Sequence, residues 1–285
     1  MEIKLIQTQK VLCPTQISIA DYVINPYRGC GFKCLYCYSR ENKNIKNGYD
    51  RGRLGVKENS PQILQRELRY TRPKRVLLGS VTECFQEAEL KYKVTEKVLN
   101  ILNEYSIPYT ILTKSHYITR CLSLISKNKK NKIYFTLSPF PGDTLRLFEK
   151  KSPAVLERIK AIEDILRAGI DLRLHLGPFI PFVSDLDYSF GLIPKKAKEI
   201  EIELYHNTMG NFNKILSIVR KNLRCECAGN LESVYSSRES YLKYSENLKG
   251  HALKKVKGKD IKLFYIVPDF NDYYSSRIDY GAEIK

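Results

Sequence analysis

Apolar residues fall along this chain in two alternating rhythms. The first is the short unbroken run: Tyr22-Val23-Ile24, Arg75-Val76-Leu77-Leu78-Gly79, Tyr109-Thr110-Ile111-Leu112-Thr113, Ile133-Tyr134-Phe135-Thr136-Leu137 and Asp171-Leu172-Arg173-Leu174-His175-Leu176. Runs this short, rich in β-branched and aromatic residues and bounded by turn formers, predict buried strands. Ile200-Glu201-Ile202-Glu203-Leu204 adds a sixth strand by strict alternation. The second rhythm is helical spacing, over 61–70, 94–105, 116–126, 153–168 and 213–222. Asn59-Ser60-Pro61 offers a polar cap and a proline at the first helical position, and Gly169 stands where a helix end favours glycine. The polar, glycine-containing stretch 40–59 predicts a loop.

Strands alternating with helices imply parallel βαβ units joined by right-handed crossovers. Periodicity alone fits a doubly wound open sheet and a barrel equally. Beyond about Arg224 the repeat does not continue: that segment holds Cys225-Glu226-Cys227, a basic stretch and the strand-like 261–267. The expected division is therefore 1–222 as the repeat domain, with a cysteine loop at 25–40, and 223–285 as a small C-terminal appendage whose fold the pattern leaves open.

Composition narrows the partners. The 285 residues carry a formal net charge of +17, which suits a polyanion such as nucleic acid. Against this, the lysines are scattered; only 127–132, 195–198 and 249–259 cluster charge, and such runs are most often solvated turns and helix faces. Charges interrupt every long apolar stretch, so no membrane span is predicted. Met1-Glu2-Ile3-Lys4-Leu5-Ile6 has no signal-peptide core, and eight irregularly spaced cysteines do not suggest a secreted disulfide scaffold. The expected compartment is the reducing cytoplasm.

The strongest chemical signal is Asn25-Pro26-Tyr27-Arg28-Gly29-Cys30-Gly31-Phe32-Lys33-Cys34-Leu35-Tyr36-Cys37-Tyr38. Cys30, Cys34 and Cys37 are spaced C-x3-C-x2-C, and thiolates on one short loop can converge on a soft metal centre. Three protein ligands on a four-iron cluster leave one iron open for chemistry. A zinc site completed by a distant fourth ligand is the alternative, drawing on the other cysteines or the four histidines. It lacks the usual second ligand pair, since Cys225 and Cys227 are too closely spaced.

This spacing, with an aromatic before the last cysteine, resembles the radical SAM superfamily, and the flanking residues resemble its spore photoproduct lyase-like branch. The resemblance covers roughly 20–190. It implies a partial (β/α)6 TIM-type barrel with the cysteine loop after the first strand. It also implies a [4Fe-4S] cluster on Cys30, Cys34 and Cys37, S-adenosylmethionine (SAM) at the open iron, and an electron donor of flavodoxin or ferredoxin type. Val81-Thr82-Glu83-Cys84-Phe85-Gln86-Glu87-Ala88-Glu89, Thr113-Lys114-Ser115, Phe135-Thr136-Leu137-Ser138 and Gly177-Pro178-Phe179-Ile180-Pro181-Phe182 look like the family's strand-end motifs, with Phe182 where the family has glycine. Carried over by position, Tyr36, Tyr38, Thr82, Lys114 and Ser138 approach SAM, with Thr82 replacing a serine.

One departure bears on the reaction. The lyase uses a cysteine before its strand-two Ser-Asp as hydrogen donor; this chain has Gly79-Ser80-Val81 ahead of Thr82-Glu83. Cys84 lies on the other side of that pair. Cys84, His175 and His206 are the remaining catalytic candidates, the histidines because they end the fifth and sixth strands. The resulting expectation is a radical SAM enzyme that cleaves SAM reductively and takes hydrogen from an unidentified substrate, with a nucleic-acid lesion in view. The competing expectation is a nucleic-acid-binding protein with a structural zinc site.

Overall fold

The structure is a computed structural model that describes residues 2–40, 53–209, 211–271 and 283–284. It divides into two compact units. The first comprises Met1–Phe32, Lys43–Phe135 and Lys151–Arg173; the second comprises Lys33–Asn42, Thr136–Lys150 and Leu174–Lys285.

The first unit holds strands β1 (Glu2–Ile6), β2 (Cys13–Pro14), β3 (Tyr22–Ile24), β4 (Tyr27–Arg28), β5 (Arg53–Lys57), β6 (Val76–Leu78), β7 (Tyr109–Thr113) and β8 (Lys132–Thr136). β3, β6, β7 and β8 pair parallel in that order, with β2 antiparallel on the outer side of β3. Val76, Leu77 and Leu78 are all fully buried, as a parallel strand covered on both faces requires. Helices Val94–Glu104 and Val155–Arg167 form where the helical spacing places them. The stretch expected as one helix over 116–126 is instead a 3-10 segment, His116–Cys121, followed by a single α turn, Leu122–Ile125. Asn59 does not cap Ser60–Glu67 through its side chain. That side chain binds both backbone groups of Thr8, each at 2.9 Å, and so ties the N-terminal segment to the helix start.

The described end of the segment expected as a loop forms β5, which pairs parallel with β1 and antiparallel with β4 in a separate three-stranded sheet. Gly55 fits because any Cβ there would stand 2.7 Å from the Ile6 side chain and 3.1 Å from Arg28.

The second unit holds β9 (Asp171–Phe179, its first residues in the other unit), β10 (Glu199–Leu204), β11 (Lys262–Ile266) and β12 (Glu283–Ile284), neighbours in that order. β11, inside the segment expected as an appendage, pairs parallel with β10 from Glu199↔Lys262 to Glu203↔Ile266. Helices Phe212–Asn222, Cys225–Val234 and Arg238–Val256 fill the chain between them. The fold is mixed α/β with a mostly parallel sheet. Among the described residues no helix is long and apolar enough to cross a membrane.

Candidate functional site

The cysteine loop leaves the end of β3 and is fastened on both sides of Cys30. The Thr82 hydroxyl donates to the Gly29 carbonyl at 2.5 Å, and the Gly31 amide donates to Oε1 of Gln86 at 2.9 Å. Gly29 has φ +90°, and a Cβ there would meet the Arg53 carbonyl at 3.1 Å, so glycine is needed for both conformation and space. Upstream, the Asn25 side chain bonds Ser80 and the Val81 amide at 3.1 and 3.2 Å. Buried Tyr27 donates its hydroxyl to Glu89, whose carboxylate also receives the Thr95 and Glu96 amides at the start of helix Val94–Glu104. The stretch 80–89 after β6 is thus the scaffold of the loop.

Cys30 and Cys37 are half-buried and Cys34 is buried, and none is in a disulfide. Three thiols on one loop suit a soft iron-sulfur group. Among the described residues no three His, Cys, Asp or Glu side chains are gathered to hold a metal ion, Cys30, Cys34 and Cys37 included.

In the second unit, the later half of the loop rests on the segment after β8. The Leu35 amide donates to the Phe148 carbonyl at 2.8 Å, and the Tyr36 ring lies 5.8 Å from Phe140, which stacks on Phe148. The Tyr36 hydroxyl donates to the Glu149 carboxylate. The Ser138 hydroxyl donates to the same oxygen at 2.6 Å. Glu149 escaped sequence reasoning because Glu149-Lys150-Lys151 looks like an exposed charged turn. Tyr38 opens a 3-10 turn, Tyr38–Arg40.

Lys114 follows β7 directly. Its amide donates to Oε2 of Glu83 at 3.1 Å, while the Thr113 hydroxyl and Phe85 amide donate to Oε1 at 2.7 and 2.9 Å. Burial pushes the Glu83 carboxyl up, and these donors, together with the Lys114 charge, pull it back. Glu83 therefore locks the end of β7 to the stretch that holds the cysteine loop.

Cys84 is fully buried, and desolvation raises its thiol well above the ordinary range. His206 is also fully buried; its Nδ1 accepts the Thr208 amide at 3.2 Å, and its ring meets Tyr241 edge-on within a cluster that includes Tyr205 and Tyr235. His175 differs. Its Nδ1 lies 2.8 Å from Glu201 and its Nε2 3.5 Å from Glu203, and Glu201 is only 1% exposed. The backbone carbonyl of His175 accepts the Leu137 amide at 3.0 Å, beside Ser138. Cys227 lies in the first turn of Cys225–Val234 and is half-buried.

The family profile of the Radical SAM superfamily matches residues 24–187, from the end of β3 through the loop after β9. This chain belongs to the radical SAM superfamily. It is 31% identical over 195 residues to the uncharacterized protein MJ0683 of Methanocaldococcus jannaschii, covering 67% of this chain and 73% of that one. It is 30% identical over 173 residues to the uncharacterized protein Rv2578c of Mycobacterium tuberculosis, covering 58% of this chain and 51% of that one.

Among solved structures it resembles a spore photoproduct lyase mutant with bound AdoMet and dinucleoside spore photoproduct. The TM-score is 0.65 at 13% identity, over 92% of this chain and 80% of that one. A second spore photoproduct lyase mutant structure gives a TM-score of 0.64 at 12% identity, over 92% and 81%. The fold is that of these partial-barrel enzymes, and the chain is an enzyme of the radical SAM class carrying out SAM-dependent radical chemistry.

Proposed function

We propose that Cys30, Cys34 and Cys37 hold a [4Fe-4S] cluster, that SAM binds at its open iron, and that the substrate is a nucleic-acid lesion. The observation that carries this reading is the cysteine loop itself, three thiols on a segment fastened by Thr82 and Gln86. When bound and reduced, such a cluster would supply one electron for reductive cleavage of SAM to methionine and a 5'-deoxyadenosyl radical, which would remove a hydrogen atom from the substrate. The likeness to a lyase structure holding AdoMet and a dinucleoside photoproduct, and the net charge of +17, support the choice of ligand and substrate class.

The chain's own residues divide the remaining work. Lys114 is held at the β7 end through its amide, and its ammonium pairs with the SAM carboxylate as a point charge. Ser138, whose own proton goes to Glu149, accepts from a ribose hydroxyl, and the flat faces of Tyr36 and Tyr38 cover the adenine. Thr82 spends its proton on Gly29, so its part is to hold the loop rather than to donate to SAM. Glu149 sets the direction of the Tyr36 and Ser138 hydroxyls. His175, with Glu201 fixing its ring, is the acid–base group of the set. Cys84 and His206, both fully buried and the latter packed edge-on against Tyr241, are given no part in the set. A flavodoxin- or ferredoxin-type donor in the cytoplasm supplies the electron.

Anaerobic reconstitution with iron and sulfide tests the reading. The expected results are cluster absorbance, its loss in the triple Cys→Ala variant, and 5'-deoxyadenosine on adding dithionite and SAM. Zinc in place of iron and sulfide, or a cluster that never yields 5'-deoxyadenosine, overturns it.

A further inference from the structure

Phe182 holds a backbone conformation that its side chain disfavours. Its φ is +60°, in the left-handed region where glycine is at ease and a bulky residue is strained. The turn around it is tightly specified. The Val183 and Ser184 amides donate to the Ile180 carbonyl at 3.1 and 2.8 Å, and the Ile180 amide donates to the Ser184 hydroxyl at 2.8 Å.

None of this requires an aromatic ring, and the core does not use the ring either. Phe182 is 46% exposed, touching Tyr244 with ring centroids 5.6 Å apart and planes tilted by 49°. A strained backbone that keeps a large aromatic in solvent points to a use outside the fold. Its position fits such a use. The turn follows the C-terminal end of β9, where ligands bind in α/β folds, and the Asp185 amide ties it to the Pro139 carbonyl at 2.9 Å, next to Ser138.

We propose that Phe182 is a stacking platform for an unpaired base of the nucleic-acid substrate. This rests on the nucleic-acid reading above and adds a substrate-binding residue to it. Base–aromatic stacking tolerates any sequence and adds to electrostatic attraction by a chain of net charge +17.

The test is fluorescence anisotropy of a short fluorescein-labelled single-stranded oligothymidylate with the reconstituted full chain and its Phe182→Gly, Phe182→Leu and Phe182→Tyr variants. Phe182→Gly relieves the left-handed strain, so its Tm is expected unchanged or raised, while its Kd rises roughly tenfold or more. Phe182→Leu, apolar but not planar, is expected to weaken binding similarly, and Phe182→Tyr to retain it. A parent chain that does not bind the oligonucleotide, or Gly and Leu variants that bind like the parent, overturns the proposal. Loss of 5'-deoxyadenosine formation by the parent bears on the radical reading alone, because oligonucleotide binding needs no SAM cleavage.

Discussion

Oε1 of Glu149 accepts two hydroxyl donors, Tyr36 from the cysteine loop and Ser138 from the end of β8, the latter at 2.6 Å. Glu149 is 3% exposed, so these two hydroxyls meet its carboxylate away from bulk water. Hydrogen bonds to a buried carboxylate are among the stronger ones, and losing the acceptor removes that bond from both donors. Glu149→Ala is expected to lower stability by about 1–3 kcal/mol in a denaturant titration. The same variant should weaken SAM binding by about tenfold or more, the factor that ~1.4 kcal/mol represents, while iron content is retained. Equal SAM affinity in parent and variant would separate Glu149 from the cofactor and leave it a folding residue.

Thr82→Val preserves shape and deletes the hydroxyl that donates to the Gly29 carbonyl. A buried acceptor without its donor costs roughly 1–2 kcal/mol, and here the cost falls on the peptide next to Cys30. The expected outcome is faster loss of iron to a chelator under anaerobic conditions, with a smaller effect on global Tm. Gln86→Leu, which removes the partner of the Gly31 amide, should act in the same direction.

Residues that declare their burial by pattern were legible in the sequence, and residues whose burial depends on a distant partner were not. Val76-Leu77-Leu78 lies in the interior because an unbroken apolar run has no polar face to offer water. Superfamily membership was legible for a different reason: the cysteine spacing is carried on one short stretch, which the family profile also spans. β5 was hidden because Leu54 and Val56 are split by a glycine that only the approach of Ile6 explains. Glu201 was hidden by strict alternation, which normally puts every second residue in water; His175 supplies a partner that makes its burial tolerable. Glu149 was hidden in the same way, its Tyr36 donor lying far away along the chain.

Cysteine reactivity should sort by burial. Cys13 is exposed, whereas desolvation raises the Cys84 thiol well above the usual range and pushes Cys121 up to about 12. Only thiolate reacts readily with iodoacetamide, so at mildly alkaline pH Cys84 and Cys121 remain protonated and shielded. Peptide mapping after a brief exposure of the native protein should find Cys13 modified and Cys84 and Cys121 unmodified until denaturant is added. Prompt labelling of Cys84 in the folded chain would restore it as an accessible hydrogen donor.

Gly177 and His175 share one small volume. A Cβ at 177 would stand 2.2 Å from His175 Nε2 and 2.6 Å from Cε1, far inside van der Waals contact. The ring cannot yield freely, because Glu201 holds its Nδ1 at 2.8 Å and Glu203 faces its Nε2. Gly177→Ala is therefore expected to cost roughly 1–3 kcal/mol of stability by overpacking, and to shift the His175 ring nitrogen resonances as the Glu201 contact loosens. The cause is checked by a double-mutant cycle. In a His175→Ala background the clash has no partner, so adding Gly177→Ala should cost only a small fraction of that amount. If the penalty is the same in both backgrounds, the strain lies in the backbone before Pro178 and the imidazole is not what the glycine accommodates.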